Sequence, residues 1–442
     1  MKEKIRIGCG AGFSGDRLEP ALILANEGKL DYLILECLAE RTIALAQKRK
    51  MQDPLKGYDA LLERRIEMLL PALKNNNIRL ITNMGAANPI EAAKKIIEIA
   101  KTKGIKIKVA AINGDDVLKE IQLLGDDTKD LENGKLLNEY DIISANAYLG
   151  IEGIVEALKN DAQVIITGRV ADPSLFLAPM IYEFGWHTDD YDLMGKGTVT
   201  GHLLECAGQL TGGYFADSVK KLVDGLDILG HPFADVFADG SSIVSKVDGT
   251  GGIINLQTVK EQLLYEVINP HEYFTPDVIA DFTTVQLKEV GKDRVQVSGG
   301  TGKVKPSTYK VSVGYKAFYL GEGEISYAGA AAYERAQLAG KIITSRLQNK
   351  VDDLRIDFIG IQSTHRVVLN NAIIPYEVRL RVAAKVKNQE LAALVGEEVE
   401  ALYTNGPAGG GGVRKYANEV IGIVSVLLPK NKIVPQVTLL ES

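Results

Sequence analysis

Through its first 180 residues the chain alternates short β-branched apolar runs with stretches of helical periodicity. That alternation restricts it to folds in which parallel strands are linked by crossover helices. Strands are expected at 5–7, 32–35, 78–82, 107–112, 141–144 and 163–167, each as short as buried parallel strands are. Between them Leu61, Leu62, Ile66, Leu69, Leu70 and Leu73 recur at helical spacing, as do Ile90, Ala93, Ile96, Ile97 and Ala100. Each set describes a one-sided helix that covers a sheet. Pro20 and Pro89 suit a first helical turn, and Gly28 and Gly104 suit left-handed caps at helix ends.

The pattern divides the chain into three parts. Residues 1–185 are expected to form a parallel, doubly wound α/β domain with a Gly-rich anion-binding loop after its first strand. A Gly-rich middle region, 186–305, has helices around Leu203 and Val259, little strand alternation, and the residues that complete the site. From 306 to 442 the segments follow the order βαββαβ, the split-βαβ or ferredoxin-like α+β arrangement. The stretch 303–307 reads as the linker into it.

With 442 residues, 46% hydrophobic and 24% charged, the chain can bury a large core and is neither disordered nor low in complexity. Its net charge of −6 and the lack of a basic stripe argue against nucleic acid as a partner. No run of about 18 apolar residues could span a bilayer, and Lys2 and Lys4 lead into a Gly-rich turn where a signal peptide would have an apolar segment. A cytoplasmic location without membrane contact is expected. Cys9, Cys37 and Cys206 lie far apart without CxxC spacing, which suits a reducing compartment.

The first strand runs into GCGAGFSGDR, where Gly10, Gly12 and Gly15 match GxGxxG ahead of a helix, and Glu36 ends the next strand 21 residues after Gly15. The spacing is that of a dinucleotide loop. Asp16, however, would repel a pyrophosphate unless Arg17 or a metal compensated. An anion site of unspecified identity, using Ser14 as well, is therefore favoured over a dehydrogenase. The plainer alternative is that the glycines allow a tight turn and close helix packing.

In an open parallel sheet, ligands bind beyond the carboxyl ends of the strands. Those ends carry Glu36, Cys37, Glu40 and Arg41; Asn83 and Gly85; Asp115 and Asp116; Asn146 and Tyr148; and Arg169 and Asp172. Turns and helix caps account for Asp115, Asp116 and Asn88. They account less well for Glu36, Arg41 and Arg169, whose long charged side chains gain nothing from capping. In the middle region His202 and Glu205 stand at i and i+3, with Gln209 four residues on, so imidazole and carboxylate share one helical face. Cys206 beside them reads as a small buried filler before it reads as a nucleophile. No cofactor is specified. A divalent metal stays open, because a third ligand would have to come from Glu36 or Asp16. The glycine loops at 248–252 and 406–415 could cradle an anion or could be mobile, and His231, His271 and His365 read as packed or hydrogen-bonded.

Taken together, GCGAGFSGDR, LDYLILECLAERTIALAQ from Leu30, ITNMGAANP from Ile81, TGRVADPSLFLAP from Thr167, GHLLECAGQ from Gly201, SKVDGTGG from Ser245 and GPAGGGG from Gly406 resemble the acyclic terpene utilisation AtuA family. The resemblance spans almost the whole chain. It implies catabolism of branched or acyclic carboxylates, hydratase or lyase chemistry on their acyl-CoA intermediates, and a small partner protein. The chain is similar to the shorter form of the family, without a C-terminal small-subunit domain, so a separate small subunit is expected, as is a homo-oligomer.

The residues then suggest three parts of one site: an anion clamp from the Gly10–Gly15 loop with Arg17, Arg41 or Arg169; an acid or base from Glu36, His202 or Glu205; and an electrophilic stabiliser from Asn83, Asn146 or backbone N–H groups. The alternative is a non-catalytic acyl-CoA or nucleotide-binding subunit of a catabolic complex.

Overall fold

A computed structural model describes residues 2–125, 127–365 and 375–442. The chain divides into two compact units: residues 1–138, 143–314 and 423–442, and residues 139–142 and 315–422.

In the first unit β1 (Lys4–Ala11), α1 (Glu19–Glu27), β2 (Tyr32–Leu35), α2 (Glu40–Gln52), α3 (Leu62–Asn75), β3 (Arg79–Thr82), α4 (Pro89–Thr102) and β4 (Lys108–Asn113) follow one another. After α5 (Leu118–Gln122) come β5 (Ile142–Ala147), α6 (Glu152–Lys159), β6 (Val164–Thr167), α7 (Asp172–Phe184) and α8 (Tyr191–Glu205). Strands β1, β2, β3, β6 and β4 pair in parallel in that order. Successive side chains of a strand face opposite sides. Leu33, Leu35, Leu80, Val109 and Val164 accordingly pack with α1, α3 and α4, while α6, α7 and α8 pack against the other face. Pro20 and Pro89 stand in the first turns of α1 and α4. Gly104 follows α4 at φ +65°, but Gly28 ends α1 in the right-handed region at φ −69°.

Two sequence expectations need correcting. The run at 141–144 is not a strand of the parallel sheet: β5 pairs with β14 (Thr308–Ala328). Nor is the sheet parallel throughout, because the middle region is richer in strands than its sequence suggests. There β7 (Pro232–Phe237) pairs antiparallel with β1, and β8 (Ser242–Lys246) pairs with β7. Beyond α9 (Leu256–Leu264), a small sheet holds β9 (Tyr273–Phe274), β10 (Ile279–Asp281) and β13 (Thr301–Lys303), while β11 (Gln286–Gly291) and β12 (Arg294–Ser298) extend the large one. The result is a ten-stranded mixed sheet, closed at its other edge by β18 (Gln436–Glu441) against β4.

The second unit takes the rest of β14, then α10 (Ala332–Leu347), β15 (Asp353–Ile359), β16 (Glu377–Val386), α11 (Gln389–Asn405) and most of β17 (Gly411–Pro429). Its strands lie in the order β15-β16-β14-β17, and α10 and α11 bury Ile343, Leu347, Val395 and Val399 against the sheet.

Candidate functional site

In the first unit two cavities open where the parallel strands end. One, about 550 Å³, is lined by Gly12, Asp16, Arg17, Glu36, Asp172, Glu205, Cys206, Tyr265 and Glu266, among others. The second, about 890 Å³, is lined by Arg41, Tyr148, Arg169, Pro173, Tyr273, Phe274, Pro276, Lys310 and Leu427. Ala39, Asp172 and Glu266 belong to both walls.

The glycine loop after β1 closes on itself. The Asp16 carboxylate accepts the N–H of Gly12 at 2.6 Å and of Phe13 at 3.3 Å, so the donors that would cradle an external anion already hold an internal one. Buried Arg65 donates to the carbonyls of Ser14 and Asp16, and Ser14 Oγ donates to Asp59 at 2.6 Å. A Cβ at Gly12 would come within 2.4 Å of the Cys206 backbone, which is how the end of β1 and the end of α8 can share a cavity wall. Arg17 donates to the carbonyls of Leu226 and Asp227, both at 2.9 Å.

Glu36 leaves β2 and is fixed by two donors on Oε1, the Leu38 N–H and the Asn83 amide, each at 2.8 Å. Burial pushes its carboxyl well above the usual range, and the charge of Asp172 adds to this against the opposing pull of Arg169. Arg169 leaves β6 with its guanidinium 4.0 Å from the centre of the Tyr148 ring and 3.2 Å from the Asp172 carboxylate, and it donates to the Leu38 carbonyl. Burial also raises Asp172, although Arg169 opposes it. Tyr148 donates to Glu40 at 2.6 Å, and Lys310 approaches the same carboxylate at 2.8 Å. Burial works against the charge on Glu40, but Lys310 and Tyr148 outweigh it and hold that carboxyl low.

Behind Arg169 a buried strut fixes the turn. Asp115 accepts the Arg169 N–H and the Asn146 amide, each at 2.9 Å, and burial raises Asp115 to about 6. A Cβ at Gly168 would fall 2.3 Å from the Asp115 carboxylate, so only glycine fits there.

On α8, His202 Nδ1 and Glu205 Oε1 are 2.8 Å apart, and His202 Nε2 is 3.1 Å from the Gln262 carbonyl. Burial raises Glu205 to about 7 despite His202 beside it, and its Oε2 has no hydrogen-bond partner among the described residues. Burial, and then the Glu205 charge, push the Cys206 thiol up, so it stays protonated and is a poor nucleophile. Among the described residues, no group of three His, Cys, Asp or Glu side chains is arranged to hold a metal ion, and no helix is long and apolar enough to cross a membrane.

A family model described as acyclic terpene utilisation family protein AtuA matches residues 5–439. The chain belongs to that family. No curated protein and no solved structure matches it. Several of the segments that carry the family resemblance meet at the acidic cavity of this AtuA-family chain: they supply Gly12 and Asp16, Glu36, Asp172, and Glu205 with Cys206.

Of the residues singled out in the sequence, Gly12, Asp16, Arg17, Glu36, Asp172 and Glu205 line the acidic cavity, and Arg41, Arg169 and Asp172 line the larger one. His202 stands behind Glu205 and lines neither. Asn83 braces Glu36, and Asn146 braces Asp115. Gly10 packs on Ala21, Gly15 faces Phe13, and Gly85 sits against Thr167 and Pro89; with Ser14 they shape loops outside both cavity walls. The glycine loop at 248–252 is no cradle, because Gly251 and Gly252 donate to the carbonyls of Ile228 and Asp224. Sequence reasoning missed Glu266, Tyr273, Lys310 and Gln262. Only Lys310 had a usable signal, as a cation opening a long strand.

Proposed function

We propose that this chain is a cytoplasmic catabolic enzyme of the hydratase or lyase class, acting on a branched or acyclic carboxylate or its acyl-CoA thioester. The observation that carries the reading is the adjacency of two unlike cavities, which share Ala39, Asp172 and Glu266 as a common wall. The larger offers apolar walls at Pro173, Phe274, Pro276 and Leu427 for a hydrocarbon chain. It also offers Arg41, whose side chain has no hydrogen bond or ion pair among the described residues, for a carboxylate or thioester carbonyl. The smaller offers Glu36 and Glu205, buried carboxyls that both hold their protons more tightly than usual, Glu205 up to about 7. The family description supports an acyclic chain as the apolar part.

Hydration of a double bond conjugated to the carboxyl group needs no other reactant. Glu205 takes a proton from water, the water oxygen bonds to the β carbon, and the α carbon takes the proton of the Glu36 carboxyl. Solvent exchange then restores both groups, and elimination is the reverse. His202 orients Glu205 and shares its proton. In the same reading the second unit is a ferredoxin-like platform for a small partner subunit, supported by its βαββαβ order and its strand order.

The test is NMR of acyclic and branched unsaturated carboxylates and their CoA thioesters incubated with the purified chain in D₂O. Hydration, or deuterium entering at the α carbon, is expected, falling about 10²–10⁴-fold in Glu205→Gln and Glu36→Gln. Arg41→Ala should act mainly on KM. Neither hydration nor exchange with any of these compounds would overturn the catalytic reading, and tight binding without exchange would leave a carrier or binding subunit.

A further inference from the structure

Large apolar side chains surround the mouth of the acidic cavity in water. Phe13, Tyr214 and Leu226 are exposed there, Tyr214 by 84%. The strap that follows Tyr214 carries two more, Val219 at 78% and Leu222 at 70% exposure.

This strap is held firmly. The Asp217 carboxylate accepts the N–H groups of Val219, Lys220 and Lys221 at 2.9, 2.8 and 2.8 Å. Lys221 pairs with Glu261 of α9 and lies 4.6 Å from the centre of the Phe215 ring. Arg17 holds the far end through the carbonyls of Leu226 and Asp227. Lys220 is left exposed, with no ion-pair partner among the described residues.

The cavity beside the strap lacks the free cation that the strap displays. Asp16, Glu36, Asp172, Glu205 and Glu266 bring five carboxyl groups to its wall, and Arg17, already donating to two carbonyls, is the one Lys or Arg among its described lining residues. Contiguous exposed apolar surface on a fixed element marks an interface, and an unpaired cation next to an acidic hollow sets its polarity. Strap and mouth adjoin on one surface, so a two-fold axis can lay each strap on the other copy's mouth in two identical contacts.

We propose that two copies of this chain pair through this face. Val219 and Leu222 of one copy pack on Phe13, Tyr214 and Leu226 of the other, and Lys220 enters the acidic cavity of that copy beside Glu266. A second copy is favoured over an unrelated protein because the strap itself supplies apolar side chains to match those of the mouth and the free cation that the cavity lacks. The contact brings Lys220 to the cavity to which the reaction above assigns Glu36 and Glu205, but it does not depend on that reaction and is read without turnover.

The experiment is sedimentation velocity and light scattering on the whole chain. The parent is expected to have dimer mass, and Val219→Asp with Leu222→Asp to have monomer mass with an unchanged circular dichroism spectrum. Lys220→Glu or Glu266→Lys should each weaken the dimer about tenfold or more, and the two together should restore most of it. A parent chain monomeric at about 100 µM, well above the Kd of a micromolar dimer, would overturn the proposal and leave this face to another polypeptide. So would a dimer indifferent to the strap substitutions. Failure of the charge exchange to restore association would remove Lys220 from the cavity.

Discussion

Glu205 Oε1 lies 2.8 Å from Nδ1 of His202, and the other ring nitrogen is 3.1 Å from the Gln262 carbonyl. A carbonyl oxygen can only accept, so Nε2 carries a hydrogen and a second proton is shared between Nδ1 and Oε1. The pair is buried, and burial raises Glu205 from the ordinary 4.5 to about 7.

The first prediction follows from that shift. Glu205 keeps its proton in the folded chain at pH values where the unfolded chain has lost it, so its contribution to stability is complete below 4.5 and is lost as pH rises through about 7. Gln does not titrate. The stability of Glu205→Gln relative to the parent should therefore improve across that window, by about 3 kcal/mol in total. Urea unfolding at a series of pH values reads it, and a constant difference across the window would mean that Glu205 is not perturbed.

Arg169 is the cation on which the half-buried carboxyl of Asp172 and the buried one of Glu36 depend. Its removal leaves Asp172 without its ion pair and Tyr148 without its stacked guanidinium, so Arg169→Ala should cost about 3–5 kcal/mol. Arg169→Lys keeps the charge but not the planar fork and should recover only part of the loss. Adding Asp172→Asn to Arg169→Ala should regain about 1 kcal/mol or more, because the orphaned charge is gone. Strict additivity of the two substitutions would show that they do not interact.

Asn83, fully buried, accepts the Cys37 N–H at 2.7 Å and donates to Glu36 Oε1 at 2.8 Å. Alanine there breaks two buried hydrogen bonds and should cost about 2–4 kcal/mol. It also withdraws a donor that favours the charged carboxylate, so Glu36 should titrate even higher than in the parent. Carboxyl ¹³C NMR would follow this, with the Glu36 signal changing at a pH above those of the exposed glutamates and moving further up in Asn83→Ala. A downward move would contradict the role given to Asn83.

The parallel centre of the sheet was legible because each strand is a short apolar run followed by a helix with one apolar face. The edges were not. Strands β7 and β8 are buried on both faces, so they lack alternation, and β11 is polar and exposed at the rim. The run at 141–144 has the composition of its neighbours, and nothing local tells that β5 joins β14. Strand β18 pairs with β4 across more than 300 residues of sequence, a contact that only tertiary packing selects.

In the site, Glu36, Arg169 and Asp172 could be read because strand ends collect ligand-binding groups, and His202 with Glu205 because their spacing places them on one helical face. Glu266 comes from irregular chain after α9, and Tyr273 from the two-residue strand β9, both too short of pattern for periodicity to carry information. The glycine loop was half legible: Asp16 stood out as hostile to a phosphate, but that its carboxylate would itself fill the cradle depends on the fold of the turn.

That self-occupied cradle yields the last prediction. With the Gly12 and Phe13 N–H groups already donating to Asp16, those two donors are taken and a carboxylate stands where a pyrophosphate would lie. A dinucleotide present at about ten times its Kd would add about 1.4 kcal/mol to stability, which a melting curve detects easily. Millimolar NAD, NADP and FAD are therefore expected to leave the Tm of the parent unchanged. Asp16→Ala should lose about 1–2 kcal/mol by opening the turn, and Asp16→Asn less, since the amide oxygen can still accept. A clear upward shift of the parent with any of the three nucleotides would mean that the turn opens and that Asp16 yields its place to a ligand.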